Sequence, residues 1–234
     1  MLTQYSLLGV GGSGNVYSGE MMTDDTTTKV AIKRPHQNIC LIREYENGLH
    51  LKKRLLPTTI SHHFCLPITM TNDGAIVYPF LDGHTFKHEK NKSNVLLTLM
   101  SMSSILRILW EHGITHGDIM KDNIMITTQN SPIFIDLDNM EFERKNSNIA
   151  LDVHGYSELI RGKLHLFDRN TESHCALHYI VDRLNEMQNK HLQKKYFRFW
   201  MLSHLMDEVR SYLEMIEIHS QNTQRIITIS LHET

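Results

Sequence analysis

An α+β fold, with strands early and helices late, is what the patterning of this 234-residue chain predicts. Three observations carry that expectation. Short β-type segments, several of them separated by glycine-bearing turns, recur through the first eighty residues. A stretch from Val95 to Trp110 repeats apolar side chains at helical spacing. Between the helical stretches lies one hairpin signal, THGDIMKDNIMITTQNSPIFIDLDN from Thr115 to Asn139, whose polar residues stand at its rims.

In chain order, Tyr5 to Leu8 reads as a strand that runs into GVGGSGNV, Gly9 to Val16. A second strand begins at Asn15 (Val16, Tyr17), so the glycines turn a hairpin; a dinucleotide fold would need a helix there. A threonine-rich connection, Met22 to Thr28, leads to the strand Val30-Ala31-Ile32-Lys33. Ile39 to Leu56 has a helical pattern in which Glu44 and Glu46 point to different faces, and Gly48 weakens it. Phe64 to Met70 and Ala75 to Val77 read as strands joined by Asn72-Asp73-Gly74, a hairpin turn. Tyr78-Pro79-Phe80-Leu81-Asp82-Gly83 closes this half, and His84 to Asn94 reads as a polar connector with Ser93 or Asn94 capping the next helix.

That helix carries the stripe Val95, Leu99, Met102, Leu106 and Leu109, widened by Leu96, Met100, Ile105 and Ile108. The hairpin follows: a strand from Asn123 to Thr127, a turn through Gln129-Asn130-Ser131, and a strand from Ile133 to Ile135. Asp118 and Asn123 are placed in the entering loop, and Asp136 ends the exit strand, back beside them. Oxygen-bearing side chains gathered so can hold a hydrated Mg²⁺ and orient a hydroxyl; a polar turn beside a hairpin is the plainer alternative. ALDVHGYSELI, Ala150 to Ile160, reads as a helix. Beyond Arg161, Tyr179 to Met187, Leu192 to Leu205 and Asp207 to Ile218 are expected helices, with Phe197, Trp200, Leu202, Leu205 and Met206 in their core.

Composition narrows the function. Lys and Arg number 24 against 26 Asp and Glu, so no charge excess points to nucleic acid or an anionic membrane surface. Three cysteines, Cys40, Cys65 and Cys175, odd in number and far apart, point to a reducing compartment. No basic-then-apolar signal opens the chain, and the most apolar run holds serines and Arg107, too polar to span a bilayer. A cytoplasmic protein without a membrane span is the expectation. The sixteen histidines, including His62-His63 and the pair His84/His88, show no zinc-site spacing.

His116, Asp118, Asn123 and Asp136 resemble the catalytic loop and metal motif of the protein-kinase superfamily: H-x-D, then Asn, then a second Asp about a dozen residues on. GVGGSGNV resembles that family's glycine-rich loop and VAIK its lysine strand. Gly117, Met120, Leu137 and Asp138 depart from its common forms, although Lys121 stands beside Met120. Only sixteen positions separate Asp136 from Asp152, so a long activation segment has no room. The likeness is therefore to compact atypical members: RIO kinases, the small KEOPS-complex kinase and lipopolysaccharide kinases.

The resemblance covers Leu7 to about Ile160 and implies one kinase-like domain over 1–234. Its small β-rich N-lobe would span about 1–80, the hinge 78–83 and the helical C-lobe 84–234. It implies transfer of the γ-phosphoryl group of ATP, with Mg²⁺ or Mn²⁺, to a hydroxyl, most directly a protein Ser/Thr. A glycan or small-molecule kinase and a pseudokinase scaffold are the alternatives. Asp118 would orient the hydroxyl, Asn123 and Asp136 would hold the metal, and Lys33, paired with Glu44 rather than Glu46, would grip phosphates. Gly9, Gly11, Gly12, Gly14 and Val16 would cover the nucleotide, Tyr78 would guard the back pocket, and Pro79 and Leu81 would contact adenine. Asp152 would tether the catalytic loop. With Gly117 in place of the usual arginine, activity without a phosphorylation switch is expected, Ser147 being the one serine in the short segment.

Overall fold

The structure is a computed structural model, and it describes residues 1–23, 25–55, 58–143, 145–191 and 199–232. The fold is α+β, a β-rich N-terminal sheet followed by a helical C-terminal part. The chain divides into two compact units: Met1–Gly83 with Ile133–Met140, and His84–Pro132 with Glu141–Thr234.

In the first unit, β1 (Leu2–Val10), β2 (Gly14–Met22), β3 (Thr27–Pro35), β4 (Thr69–Met70) and β5 (Ile76–Pro79) form an antiparallel sheet ordered β1-β2-β3-β5-β4. Alternation along the central strands sorts its two faces. Val30, Ile32, Ala75 and Val77 make one buried cluster, while Ile76 and Tyr78 join Leu41 and Cys65 in another. Helix α1 (Ile42–Leu55) buries Glu44, Gly48, Leu51 and Leu55.

Gly48, expected only to weaken α1, has a packing reason. A Cβ there would run into the Pro67 ring. The strand expected from Phe64 to Met70 forms only at Thr69–Met70; Ser61–His63 is a single 3₁₀ turn and Phe64 makes a lone parallel bridge with Phe134. Pro67, lacking an N–H, interrupts a ladder. That bridge, a Cys65 N–H donating to Phe134 O at 2.9 Å, and rings of Phe64 and Phe134 stacked at 5.4 Å fasten Ile133–Met140 into this unit. An N-lobe ending near residue 80 does not include that segment, because these contacts arise far along the chain.

In the second unit, α2 (Lys92–Glu111) is capped by Asn91, whose side chain accepts from the Asn94 N–H at 3.1 Å; neither Ser93 nor Asn94 is the cap. The preceding polar connector is more ordered than expected. It holds strand β6 (Gly83–Thr85) and a 3₁₀ turn, Phe86–His88, with Phe86 buried. The stripe Val95, Leu99, Met102, Leu106 and Leu109 is buried, and α2 packs on α5 (Phe199–His232) and α3 (Asn146–Lys163). Helix α2 is long and apolar enough to cross a membrane, yet 56% of its apolar window is buried within the protein, as in a core helix.

Strand β7 (Ile124–Thr127) follows, with Asn130 at φ 57 in the turn after it; the next strand, β8 (Pro132–Phe134), leads into the segment Ile133–Met140 of the first unit. Helix α4 (Glu172–Glu186), capped by Thr171, packs on α3 and α5. The two last helices expected separately are one helix across Met206-Asp207, because no glycine or proline breaks Phe199–His232. Leu202, Leu205 and Met206 are buried as expected. Phe197 and the segment 192–198 lie outside the described residues, as does the side chain of Trp200.

Candidate functional site

The first unit buries one lysine among carboxylates. Lys33 stands opposite Val16 on β2 and Ile76 on β5. Its Nζ donates to Glu44 Oε2 at 2.6 Å and to Asp136 Oδ1 at 3.4 Å. Of the two glutamates that competed for it, Glu44 is the one that meets Lys33, while Glu46 is exposed. The second oxygen of Glu44 accepts from the Tyr78 hydroxyl at 2.7 Å. Burial raises the Glu44 pKa, against the opposing pull of Lys33 and Tyr78. Burial likewise pushes the Tyr78 phenol up, with Glu44 adding to it, and takes the Cys65 thiol up to about 12.

The glycine hairpin lies one strand away. Gly9 and Gly12 have open space where a Cβ would project, whereas a Cβ on Gly14 would strike the Arg34 carbonyl. None of these glycines has a left-handed backbone; positive φ among glycines falls at Gly74, Gly113 and Gly117. The hairpin is closed instead by the Gly11 N–H donating to Gly14 O at 2.9 Å. Pro79 ends β5 opposite Val30, and Leu81 packs beside the cluster that contains Tyr78. Asp136 lies two residues past β8 rather than at its end, with φ 61. For a residue with a Cβ this conformation costs on the order of 1 kcal/mol or more.

The second unit builds the loop that carries Asp118. Asp152 on α3, fully buried, accepts from Trp110 Nε1 at 2.9 Å and the His116 N–H at 3.0 Å on Oδ2, and from the Gly117 N–H at 2.8 Å on Oδ1. Burial raises its pKa to about 6, while these three donors pull the other way. Gly117 has φ 80, a left-handed backbone that glycine adopts without strain, and its amide reaches Asp152 from there. Thr115 and Glu141 exchange backbone hydrogen bonds at 3.0 and 3.1 Å, fixing the loop's start. Asn123 Nδ2 donates to Asp118 Oδ2 at 2.8 Å and to Asp118 O at 3.1 Å. Ser147 is exposed in the first turn of α3, bonded to Asn148.

Among the described residues no three His, Cys, Asp or Glu side chains gather as a metal cluster. The donors expected for a metal are the Asp136 carboxylate and the Asn123 carboxamide oxygen. Such a set suits Mg²⁺ or Mn²⁺, because hard cations take oxygen ligands and share them with phosphates. Asn123 turns its nitrogen to Asp118, leaving its oxygen on the opposite side of the carboxamide. Two residues to which the sequence assigned no role at the site take part in it. Asn47 donates to the carbonyls of Leu137 and Asp138 at 2.8 and 3.1 Å, and Trp110 helps to hold Asp152. Asn47 follows Glu44 by three positions, the spacing of one helix face, and that was its only signal.

Comparison of the chain with models of known protein families found no match, and no curated protein matched it either.

Proposed function

We propose that this protein is an ATP-dependent phosphotransferase of the protein-kinase type, moving the γ-phosphoryl group of ATP to a hydroxyl, above all a serine or threonine of a protein. One observation carries the reading: a buried lysine held by Glu44 and Asp136, directly across from the glycine hairpin. Leaving a cation buried is costly unless it is paired, and three ammonium hydrogens allow this one to serve a phosphate as well. The open space above Gly9 and Gly12 suits close approach of phosphate to backbone.

Bound ATP with Mg²⁺ or Mn²⁺ supplies the phosphoryl group and the cation that neutralises its oxygens. Lys33 grips phosphate oxygens, and Glu44, locked by Tyr78, holds Lys33 in place. As the resemblance implies, a bound metal would draw oxygen ligands from Asp136 and from Asn123. Asp118 orients the acceptor hydroxyl and takes its proton, its carboxylate steadied by Asn123. Catalysis of this kind is positioning and electrostatics. By the resemblance, Val16, Pro79 and Leu81 would contact the nucleotide.

A glycan or small-molecule acceptor is the second reading. The observation behind it is the short stretch between Asp136 and the start of α3 at Asn146, which leaves little chain for docking a peptide. Incubation of purified protein with labelled ATP and Mg²⁺, alone and with a generic protein acceptor, tests both. Label in protein supports the first reading, and turnover without protein labelling favours the second. Asp118→Asn should abolish transfer and keep the parent's ATP affinity; transfer at the parent's rate would refute the role given to Asp118.

A further inference from the structure

Asp136 has an unfavourable backbone that something must hold. Its φ of 61 lies where residues bearing a Cβ are strained. Upstream, the Cys65 N–H fixes Phe134 O at 2.9 Å. Downstream, the two peptide oxygens directly after Asp136, those of Leu137 and Asp138, converge on one nitrogen, Asn47 Nδ2. Leu137 is wholly buried, and the Met140 N–H closes a turn onto its carbonyl at 3.3 Å.

We infer that Asn47 is a positioning residue, which pins the backbone after Asp136 and so aims that carboxylate for metal. The inference rests on the phosphotransfer reading for what the carboxylate does, but the pin itself is a matter of geometry. A carboxamide is suited because one nitrogen carries two hydrogens, enough for both carbonyls. Aspartate, the same in shape, would present an oxygen to those oxygens. Helix α1 thus bears two supports on one face: Glu44 for Lys33 and, three residues on, Asn47 for the Asp136 segment. Strand and segment are both referred to a single rigid helix. Asp136 Oδ1 lies 3.4 Å from Lys33 Nζ, the outcome of that common reference.

The test compares the parent with Asn47→Ala and Asn47→Asp. Two measurements are made: amide hydrogen exchange over residues 137–140, and the Mg²⁺ or Mn²⁺ concentration giving half-maximal transfer, set against the ATP KM at saturating metal. Removing a pair of hydrogen bonds that orient a ligand is expected to raise the metal requirement about tenfold in Asn47→Ala. Asn47→Asp should raise it further. The ATP KM should stay within about twofold of the parent's, since Lys33 and Glu44 are untouched. Exchange at 137–140 should quicken in both variants while β3 amides keep the parent's rates. An active parent whose variants keep its metal requirement overturns the inference and leaves the phosphotransfer reading standing. An inert parent whose variants still exchange faster supports the pin and overturns the phosphotransfer reading. Unchanged exchange in both variants overturns the pin itself.

Discussion

Replacing Asp152 with asparagine tests the buried tether beneath the Asp118 loop most sharply. The carboxylate accepts three N–H donors over two oxygens. A carboxamide keeps one oxygen; its best orientation retains Trp110 and His116 and turns its nitrogen on the Gly117 N–H. One hydrogen bond to a charged group is lost and one buried donor is left unmet, a cost of about 2 kcal/mol near neutral pH. The pH dependence adds a signature. Burial raises the carboxyl from 3.8 to about 6. A group whose folded pKa is raised contributes stability that is present below its unfolded pKa and lost as pH climbs through the folded one. Between about pH 4.5 and about pH 7.5 the parent should therefore lose about 2 kcal/mol through Asp152 alone, and the asparagine variant should lose none of it. The penalty of Asp152→Asn should accordingly be larger at the acid end. Urea unfolding at several pH values measures both curves. Parallel curves for parent and variant would refute the account of Asp152 as a buried carboxyl titrating near 6.

Two further outcomes are expected. Gly48→Ala should destabilise the protein by about 1–3 kcal/mol, because the added methyl meets the Pro67 ring, and a melting curve matching the parent's would show that Pro67 yields freely. Asp136→Ala should end metal-dependent transfer with the fold retained, whereas Asp138→Ala should keep most of it. Turnover and melting temperature of both variants decide, and an inactive Asp138→Ala beside an active Asp136→Ala would reverse the assignment.

Much of the architecture was legible because it is local. Alternation in Val30-Ala31-Ile32-Lys33, the Asn72-Asp73-Gly74 turn and the 3.6-residue stripe of α2 each depend on neighbours within a few residues. The candidate residues Lys33, Asp118, Asn123 and Asp136 too belong to short motifs. What failed locally failed for identifiable reasons. Phe64 to Met70 has strand-like residues, yet Pro67 and the pairing with Phe134 made most of it irregular. The last helix ran on because nothing in its sequence stopped it.

By itself, then, the order of residues determined which segments are strands and helices and which polar residues stand at their ends. Only the tertiary structure decided which of those residues meet. Glu44 rather than Glu46 faces Lys33 because the packing of α1 against Pro67, at Gly48, sets which side of the helix is buried. Gly117 takes a left-handed backbone where its amide meets an aspartate thirty-five residues away. Asn47 acquires its two carbonyl partners from a segment ninety residues downstream. Side-chain hydrogen bonds over such separations depend on where the backbone finally packs, and no periodicity within a helix or strand encodes them.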